Sequence, residues 1–465
     1  MTTGLMPKKV CIQGLGFVGM ASAIAVASAR SKKGEVLYQV TGVELPTERG
    51  QEIVAQIQRG QMPIESTDQE MQQAFSEALE LKNLTASTSE NSYDDADIVL
   101  MAVHLDVDMQ SIQNPQVNFR GMVQAAKTLG QHLKPGSLVI VETTVPPGTC
   151  RKIIQPVLSE ELTRRGLPSD AIMLAHSYER VMPGKNYLTS IKNFWRVYSG
   201  IDKRAADACE TFLNTIINVD EFPLSRLKNT ESSEMGKILE NSYRAMTIAF
   251  MEEWSRFAEN IDVDLFQVID AIRMRPTHSN IRQPGFGVGG YCLTKDPLFA
   301  QFSAHQLFQR PDLQFPFNSM AVQANQAMPF VTVDALRKIL GSFKNKKILL
   351  LGASYRQDVA DLRHSPSSIF VKKLAEEGAE IVIHDPLVKE SLEGLPVTAE
   401  IPYHQQFDAL VLAVQHQEYA NLNFSRWPKN DILIFDANRV LSDAQVNALL
   451  TQGYNLRCIG RGLSV

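Results

Sequence analysis

The chain has 465 residues, which is enough for two to four domains of ordinary size. Hydrophobic residues make up 44% and charged residues 21% of the sequence, the proportions of a soluble globular protein. The net charge of −5 is spread along the chain without a basic stripe, so we expect neither nucleic acid nor an anionic membrane as a partner.

Cysteine usage and the N-terminal segment indicate the compartment. The five cysteines are far apart and form no metal-binding cluster: Cys11, Cys150, Cys209, Cys292 and Cys458. This distribution is typical of a reducing compartment and predicts no structural metal site. The N-terminus has no signal pattern, and the apolar stretch at 20–29 is well below the ~20 residues that span a bilayer. We therefore expect a cytoplasmic protein without a membrane segment.

Strand-like and helix-like patterns alternate in the first part of the chain. A small, apolar segment at 21–29 predicts the first helix. Short apolar runs predict strands at 10–13, 38–43, 98–103, 138–142, 173–175 and 196–199. This alternation predicts a mainly parallel sheet covered by helices.

The pattern changes after residue 224. Over 231–260, apolar residues recur at helical spacing and predict one long helix: Ile238, Met246, Phe250, Trp254 and Phe257. Alternation resumes in the last part, with a helix predicted at 365–377 and strands at 347–351, 380–384, 409–414 and 433–436. The fold class is therefore α/β, and the two outer segments look like two copies of one nucleotide-binding architecture.

A glycine-rich turn with GxGxxG spacing links the first strand to the first helix. Gly14 permits the tight turn, Gly16 lets the backbone approach a pyrophosphate, and Gly19 lets the helix pack against the sheet. The helix that this turn opens offers the N–H groups of its N-terminus to the phosphates, and Phe17 and Val18 lie in the turn. Glu44 ends the next strand, where a carboxylate accepts from ribose hydroxyls and repels a 2′-phosphate. The turn predicts NAD binding; a structural turn beside a chance acid is the alternative.

Cys292 closes a second glycine-rich segment, the most informative stretch of the sequence. Four glycines within 285–290 give an irregular backbone on which a ligand can lie close to the main chain. Lys295 and Asp296 follow at once, and a nearby positive charge makes a thiol reactive near neutral pH. We interpret Cys292 as a nucleophile. A buried cysteine in a tight turn is the alternative, which is favoured for Cys11.

The long helix carries Lys237, Asn241 and Arg244 at spacings that place them on one face. A cation and an amide one turn apart are suited to stabilise an oxyanion and to position a water. From these residues alone, a solvated polar stripe is the more common explanation. Thr144, in a turn after a strand, and Glu179, in a loop after a strand, likewise fit either a site or ordinary turn chemistry.

In this order, these residues resemble the UDP-glucose/GDP-mannose dehydrogenase family of NAD-dependent nucleotide-sugar 6-dehydrogenases. The resemblance extends almost from end to end of the chain. Its motifs are the GxGxxG turn, Thr-Val-Pro-Pro-Gly-Thr at 144–149, Glu-Arg-Val-Met-Pro-Gly at 179–184, Glu234 with Lys237 and Asn241, the loop ending in Cys292, Lys295 and Asp296, then Asn325, and the segments 358–366, 384–386 and 459–462.

The resemblance implies two Rossmann-like, doubly wound parallel-sheet domains joined by a central helical domain with the long helix. We place an NAD-binding domain at 1–226, a helical dimerisation domain at 227–330 and a UDP-binding domain at 331–465. The resemblance further implies NAD as the cofactor, a UDP-sugar as the substrate and a homodimer as the assembly.

The family chemistry is a four-electron oxidation of the C6 primary alcohol to a carboxylate, without release of the aldehyde. By position, Cys292 would form a thiohemiacetal and then a thioester, which water hydrolyses. Lys237 and Asn241 would stabilise the oxyanions, and Asp296 would act as base or position the water. A nucleophile that retains the aldehyde is what a four-electron oxidation requires between its two steps.

The remaining roles follow from the same resemblance. Thr144 and Glu179 would hold the hydrolytic water and assist proton transfer. The cofactor-binding residues would be Gly14, Gly16, Phe17, Val18, Gly19, Glu44, Thr144 and Lys295. The substrate-binding residues would be Glu179, Arg180, Lys237, Arg244, Phe286, Gly289, Arg356 and Arg363, of which the last two would meet the phosphates and the uridine.

Several positions depart from the family pattern. Tyr291 replaces the Ser or His common before the cysteine, and Thr294 replaces a usual Pro. Tyr178 replaces the Pro before the loop glutamate. Arg356 stands where Lys is usual, and its forked guanidinium is not equivalent to an ammonium. The Thr-Pro segment expected after the strand that ends near residue 103 is absent, and residues 104–119 differ from the family pattern.

The segments 179–184, 239–244 and 287–290, the last followed by Asp296-Pro297, resemble the branch of the family that oxidises UDP-N-acetylhexosamines, UDP-GlcNAc or UDP-ManNAc. The resemblance implies a role in surface polysaccharide synthesis. Lys295 looks more like the UDP-glucose or GDP-mannose enzymes, which are the alternative. A two-electron, hydroxyacid-type dehydrogenase is more remote because it has no use for Cys292. A non-catalytic nucleotide-sugar-binding protein is also remote, since it would be expected to lose the Cys, Lys or Asp that are all present here.

Overall fold

The computed structural model describes residues 6–64, 66–108, 111–182, 184–428 and 432–462. The chain forms two compact units. The first comprises Met1–Leu239 and Leu298–Gln314, and the second comprises Glu240–Pro297 and Phe315–Val465. The division into three functional domains at residues 226 and 330 stays a prediction.

Strands and helices alternate at both ends of the chain, and helices dominate the middle. The strands are β1 (Lys8–Gln13), β2 (Tyr38–Val43), β3 (Leu84–Ser87), β4 (Ile98–Met101), β5 (Val107–Asp108), β6 (Gln116–Val117), β7 (Leu138–Val141), β8 (Met173–His176), β9 (Val197–Gly200), β10 (Ser225–Arg226), β11 (Lys347–Leu351), β12 (Glu380–His384), β13 (Val397–Thr398), β14 (Ala409–Leu412), β15 (Leu433–Asp436) and β16 (Asn455–Cys458). The α-helices are α1 (Phe17–Ala27), α2 (Glu48–Gln58), α3 (Gln69–Glu80), α4 (Arg120–His132), α5 (Gln155–Arg164), α6 (Tyr187–Lys192), α7 (Lys203–Leu213), α8 (Thr230–Asn260), α9 (Leu265–Arg273), α10 (Cys292–Lys295), α11 (Leu298–Phe302), α12 (Pro316–Leu340), α13 (Pro366–Glu376) and α14 (Asp443–Thr451).

The first unit contains an eight-stranded sheet in the order β10-β9-β8-β7-β4-β1-β2-β3. Neighbouring strands run parallel except β8 and β9, which are antiparallel. The strand order reverses between β1 and β4, the switch point at which doubly wound sheets bind ligands beyond their carboxyl ends. The segment that departs from the family pattern contains the small antiparallel ribbon of β5 and β6.

The helix that follows the first glycine-rich turn is buried. Every residue of α1 from Gly19 to Ala27 is buried, as its small and uniformly apolar sequence predicts. It shares one hydrophobic core with strand residues such as Ile12, Val40 and Leu100. Close packing on this sheet therefore fixes the position of the helix N-terminus.

Side-chain caps account for the start of several helices. Thr47 accepts from the backbone N–H of Gly50 at the start of α2, and Asp68 accepts from two backbone N–H groups at the start of α3. Ser442 and Gln445 form a reciprocal capping box at α14. Each cap satisfies N–H groups that have no partner inside the helix.

The predicted long helix is confirmed as α8, a helix of 31 residues. Ile238 is buried, but a row of large apolar side chains along the helix is exposed. These residues, called here the α8 apolar face, are Met235, Leu239, Tyr243, Met246, Phe250, Trp254 and Phe257. Their spacings of three and four residues keep them on one side of an α-helix.

The second unit contains a six-stranded parallel sheet in the order β13-β12-β11-β14-β15-β16. It repeats the order of six strands in the first sheet, β3-β2-β1-β4-β7-β8, so the predicted fold class is confirmed. Along β11, Ile348 and Leu350 face one hydrophobic core, and Leu349 and Leu351 face another. No helix within the described ranges is long and apolar enough to cross a membrane.

Candidate active site

The turn between β1 and α1 has the backbone geometry of a dinucleotide site. Gly14 has a φ of 92°, a left-handed conformation that favours glycine. A Cβ at Gly19 would lie 1.8 Å from the Gly14 carbonyl oxygen, so only glycine lets the helix start this close to the strand. A Cβ at Gly16 would meet no described atom within 4 Å, so the space over this part of the turn is open.

The surroundings of this turn fit a dinucleotide. No described side chain caps α1, whose first residues are Phe17 and Val18, so its partial positive charge can act on a diphosphate. Glu44, which follows β2, is half-buried and accepts hydrogen bonds from the backbone N–H groups of Leu15 and Leu45. A carboxylate at this strand end is placed to accept from ribose hydroxyls.

The turn after β7 is held by a buried carboxylate on α8. Glu234 accepts from the backbone N–H groups of Gly148 at 2.6 Å and Cys150 at 2.8 Å, which lie where the next helical segment begins. Burial raises the pKa of Glu234 to about 7. Thr144 lies half-buried in the same turn. Glu234 therefore has a structural role, which its place in a motif did not reveal.

A buried ion pair lies at the carboxyl end of β7. The Glu142 carboxylate accepts from the Arg196 guanidinium and, at 2.8 Å, from the Ser22 hydroxyl on α1. Arg196 Nε also donates to the Ser177 hydroxyl at 3.2 Å. Burial raises the pKa of Glu142 although Arg196 opposes this. The sequence analysis missed this pair; its one signal was an acid directly after an apolar strand.

Lys237 and Glu179 lie together in the first unit. Lys237 Nζ donates to the Glu179 carbonyl oxygen at 3.2 Å and lies 3.9 Å from its carboxylate Oε1. The Lys237 ammonium is 5.4 Å from the centre of the Tyr178 ring, and the Arg180 guanidinium is 4.9 Å from the same ring centre. Tyr178, which departs from the family pattern, thus contacts two cations. Pro183 of this motif lies outside the described residues.

Cys292 differs from the other cysteines in its exposure. It is exposed at the first position of α10, whereas Cys11, Cys150 and Cys209 are buried and Cys458 is half-buried. Burial raises the pKa of the Cys11 and Cys458 thiols to about 12. A reactive cysteine needs access and a thiolate, and Cys292 has the access that the buried cysteines lack.

Asp296 is the centre of a buried polar cluster beside Cys292. Its carboxylate accepts from Asn241 Nδ2 at 2.8 Å and from Lys295 Nζ at 3.0 Å. All three side chains are buried. The backbone N–H of Asp296 donates to the Cys292 carbonyl oxygen at 3.0 Å, so the cluster is one helical turn from the thiol. The structure thus brings together three predicted site residues and holds the carboxylate in one orientation.

The glycines before Cys292 are required by close packing. A Cβ at Gly289 would lie 2.5 Å from the His364 carbonyl oxygen, and one at Gly290 would lie 3.0 Å from the Tyr355 ring. Directly before these two glycines, the Val288 N–H donates to Asn325 Oδ1 on α12 at 2.8 Å. Asn325 Nδ2 donates back to the Val288 carbonyl oxygen at 2.7 Å. Gly289, predicted to bind substrate, therefore packs against protein, which explains its identity without a ligand.

A cleft opens at the switch point of the second sheet, beyond the carboxyl ends of β11 and β14. Two predicted substrate residues, Phe286 and Arg356, line it. The other lining residues are Gly287, Ser354, Tyr355, Gln357, Pro366, Ser367, Ala413, Val414, Gln415 and Asn438. Backbone polar groups, amides and a guanidinium in one concave surface fit a nucleotide.

The two other predicted arginines have different surroundings. Arg363 Nε donates to both carboxylate oxygens of Asp361, at 2.8 and 2.9 Å, and its guanidinium lies 4.9 Å from the centre of the Tyr291 ring. Arg244 is exposed on α8. Its spacing from Asn241 is as predicted, but the neighbouring polar residues at 237 and 241 are buried.

The predicted catalytic residues divide between the two units. Thr144, Glu179 and Lys237 belong to the first, and Asn241, Cys292 and Asp296 belong to the second. The roles of these residues stay predictions. In the described part of the chain, no group of three His, Cys, Asp or Glu side chains is arranged to hold a metal ion.

Sequence analysis also missed Asn438. Its Oδ1 lies 3.4 Å from the Phe286 backbone nitrogen, which donates to it, and its Nδ2 donates to the Ala413 carbonyl oxygen at 2.8 Å. It thus joins two walls of the cleft. Nothing in its local pattern distinguished it, because Asn after a strand is common turn chemistry.

Comparison with known families agrees with this geometry. Residues 8–215 match the NAD binding domain of the UDP-glucose/GDP-mannose dehydrogenase family. Residues 231–327 match the central domain of that family, and residues 349–443 match its UDP binding domain.

The chain is also similar to characterised relatives over its full length. It is 27% identical to the UDP-N-acetyl-D-mannosamine dehydrogenase of Pyrococcus horikoshii, over 98% of this chain and 99% of the relative. A solved structure of UDP-D-ManNAc dehydrogenase from the same organism has a TM-score of 0.80 at 26% identity, covering 97% of this chain and 99% of that one.

A UDP-glucose dehydrogenase from Pyrobaculum islandicum has the same fold, with a TM-score of 0.80 at 22% identity over 95% of this chain and 96% of that one. The fold alone therefore does not distinguish the two sugars. The three successive domain matches cover most of the chain in the family's order. The chain belongs to the UDP-glucose/GDP-mannose dehydrogenase family, whose members are NAD-dependent nucleotide-sugar dehydrogenases.

Proposed function

We propose that this enzyme oxidises the C6 primary alcohol of a UDP-sugar to a carboxylate, with Cys292 as the covalent nucleophile. The observation that carries the proposal is the exposed Cys292 thiol one helical turn from a buried Asp296. An alcohol loses four electrons on the way to an acid, so the aldehyde must be retained between the two oxidations. A thiol at the site retains it.

The first oxidation removes a hydride from C6 and the proton of its hydroxyl, which gives an aldehyde. The Cys292 thiol adds across the aldehyde C=O: a C–S bond forms, and the oxygen takes a proton to give a thiohemiacetal. Loss of a hydride from C6 and a proton from the hydroxyl gives a thioester. Water then attacks the thioester carbonyl, the C–S bond breaks, and the carboxylate and the thiol are released. NAD, when bound, supplies the hydride acceptor for both oxidations.

The cluster around Asp296 serves hydrolysis. Hydrogen bonds from Asn241 and Lys295 hold the carboxylate in one orientation, so it can accept a proton from a water that attacks the thioester. The Asn241 amide has a second N–H to offer an oxyanion. The assignment of Lys295 to the cofactor rests on the family pattern alone.

The first unit contributes the second group of catalytic residues. Lys237, held at the Glu179 loop, would stabilise the oxyanions of both adducts with its positive charge. Glu179 and Thr144 would hold the water and assist proton transfer. The cofactor would bind at the glycine-rich turn, with Glu44 on the adenosine ribose.

The nucleotide of the substrate would bind in the cleft of the second sheet. Arg356 lines that cleft, and a guanidinium gives a diphosphate two parallel hydrogen bonds. Phe286 supplies an apolar wall. The other arginines that we propose to bind the substrate are Arg363, Arg180 and Arg244. The remaining proposed substrate-binding residues are Glu179, Lys237 and Gly289.

The sugar is proposed to be UDP-N-acetylmannosamine. The supporting observation is that several relatives, 26–28% identical over 88–98% of this chain, are UDP-N-acetyl-D-mannosamine dehydrogenases. A relative of 27% identity is an NDP-N-acetyl-D-galactosaminuronic acid dehydrogenase, so the name alone does not decide the sugar. UDP-GlcNAc and UDP-glucose are the competing substrates. Comparison of kcat/KM for the three UDP-sugars decides between them, because kcat/KM measures discrimination between substrates. A higher value for UDP-glucose would contradict the proposal.

The assembly is proposed to be a homodimer formed through the α8 apolar face. Seven large apolar side chains exposed along one helix are unusual on a monomer, and burial against a second copy would remove them from water. Sedimentation measures the mass directly. A monomer at micromolar concentration would contradict the assembly without affecting the chemistry.

Replacement of the nucleophile tests the mechanism. Cys292→Ser should abolish acid formation while NAD and UDP still bind, since a serine hydroxyl is a weak nucleophile at neutral pH. Cys458→Ser, a half-buried cysteine on β16, is the matched control and should retain turnover. Near-normal turnover by Cys292→Ser would refute the covalent mechanism and favour a two-electron dehydrogenase.

A further inference from the structure

Tyr291, the residue before the nucleophile, packs against the loop that follows β11. The Arg363 guanidinium lies 4.9 Å from the centre of its ring, within range of a cation–π interaction. The His364 ring meets it edge-on, with ring centres 5.1 Å apart and planes at 75°. The aromatic ring that departs from the family pattern thus has two specific contacts in one loop.

The backbone of the cysteine loop contacts the same residues. The Gly290 N–H donates to the Arg363 carbonyl oxygen at 2.9 Å. There is no room for a side chain at Gly289, because its Cβ would lie 2.5 Å from both the His364 carbonyl oxygen and the Tyr355 Cβ. The segments 287–292 and 354–365 therefore pack as one body in this part of the second unit.

The segment 354–365 also forms part of the nucleotide cleft. Tyr355 and Arg356, near its beginning, line the cleft. The Tyr355 N–H donates to the Asp361 carbonyl oxygen at 2.9 Å, and the Asp361 carboxylate holds Arg363 through its backbone and its guanidinium. A continuous set of contacts therefore runs from the cleft through Asp361 and Arg363 to the Tyr291 ring.

We propose that Tyr291 is a positioning residue that couples occupation of the nucleotide cleft to the position of the Cys292 thiol. A nucleotide that orders the segment 354–365 also orders the Tyr291 ring and the thiol next to it. The coupling deepens the proposed function and rests on it for its role in catalysis. Coupling between two binding equilibria is reciprocal, so alkylation of the Cys292 thiol should in turn change the affinity of the cleft for UDP.

The test measures how UDP changes the alkylation of Cys292 by iodoacetamide in the whole protein. UDP is the probe because it occupies the cleft without a sugar that could cover the thiol. In the unsubstituted protein, we expect the alkylation rates with and without saturating UDP to differ by about fivefold or more, the lower end of usual coupling. The alkylation that remains in Cys292→Ser comes from the other cysteines and is subtracted.

Two substitutions of Tyr291 test whether the aromatic ring is needed for the coupling or an apolar side chain is enough. Tyr291→Phe keeps the face that contacts Arg363 and should keep the UDP effect. Tyr291→Leu removes that face and should reduce the UDP effect to less than about twofold, because the cation–π and edge contacts are lost. Tyr403→Leu is the matched control: it removes another tyrosine, whose ring lies 3.9 Å from the Arg426 guanidinium, in the same unit.

The outcomes are distinguishable from failure of the proposed function. A UDP effect that persists in Tyr291→Leu, or that is absent from the unsubstituted protein, would overturn the coupling. Loss of the effect in Tyr403→Leu would also overturn it, since that result points to general destabilisation. Absence of NADH formation with every UDP-sugar would reject the proposed function but would leave the UDP effect on alkylation to be measured.

Discussion

Six strands of the first sheet repeat the strand order of the second sheet. The turn after the first strand of each sheet nevertheless contacts a different acid. Glu44 follows β2, is half-buried, and accepts from the Leu15 N–H in the turn after β1. Asp385 follows β12, the equivalent strand of the second sheet, and is fully buried. It accepts from the N–H groups of Ala353 at 2.9 Å and Ser354 at 3.0 Å in the turn after β11.

The difference shows how one architecture binds two kinds of nucleotide. In the first sheet, α1 begins directly after the turn, and the backbone at Gly16 is open. In the second, Asp385 lies 3.1 Å from a His416 ring nitrogen and accepts from backbone N–H groups of the turn, and α13 begins only at Pro366. The first turn therefore offers backbone to a dinucleotide. In the second, we propose that side chains of the longer loop recognise the nucleotide, among them Arg356, which lines the cleft.

The largest expected effect comes from the buried acid. Asp385→Asn should lower the free energy of unfolding of the second unit by about 3 kcal/mol, because an amide cannot accept at both oxygens and leaves buried N–H groups unpaired. Glu44→Gln is the matched control at the half-buried equivalent and should cost under about 1 kcal/mol. Denaturant unfolding measures both. Equal losses of unfolding free energy would show that Asp385 and Glu44 stabilise their turns to the same extent.

Asp385 should also make the free energy of unfolding depend on pH. Burial opposes ionisation of Asp385, but hydrogen bonds from His416 and from backbone N–H groups hold its pKa well below the ordinary value of 3.8. Its stabilising contribution is therefore complete above that value and is lost as the pH falls towards the lowered pKa of the folded state. Unfolding free energies measured across this range should fall less steeply for Asp385→Asn than for the unsubstituted protein. Identical slopes would contradict the assignment.

The next effect concerns the open turn. Gly16→Ala should weaken NAD binding by about tenfold, or ~1.4 kcal/mol, because a methyl group occupies the space that the pyrophosphate approaches. Folding should be unaffected, since no described atom lies within 4 Å of the new Cβ. Gly121→Ala on α4, which has equally open surroundings, is the control. Calorimetric titration with NAD and with UDP should show the loss for NAD alone.

The smallest effect concerns the arginine of the cleft. Arg356→Lys keeps the charge but loses the planar fork, so UDP affinity should fall by about fivefold, or ~1 kcal/mol. NAD affinity should not change. An unchanged UDP affinity would mean that Arg356 meets the nucleotide only as a point charge, or does not contact it.

Much of the fold could be predicted because local patterns and packing agree. The uniformly apolar α1, the GxGxxG turn and the 31-residue α8 each have a strong signal in the sequence. The equivalence of the two sheets also follows from the alternation of strands and helices. Their exact pairings could not be read locally, because strand order is set by contacts between distant residues.

Candidate residues such as Cys292 and Asp296 were predictable where chemistry and motif coincide, and their catalytic roles stay predictions. The Glu142–Arg196 pair and Asn438 were not predictable, because their partners lie far away in the sequence. Glu234 was recognised in a motif, but its bonds to the turn after β7 depend on the tertiary fold. Polar residues whose role is to hold backbone in place are the ones that local patterns do not reveal.

We propose that one enzyme performs both oxidations on a single bound sugar. The most direct test is the amount of NADH formed per mole of limiting UDP-N-acetylmannosamine by the unsubstituted protein, with the product identified by mass spectrometry. The four-electron mechanism predicts two NADH per sugar and a uronic acid as the product. One NADH per sugar with an accumulating aldehyde would contradict it.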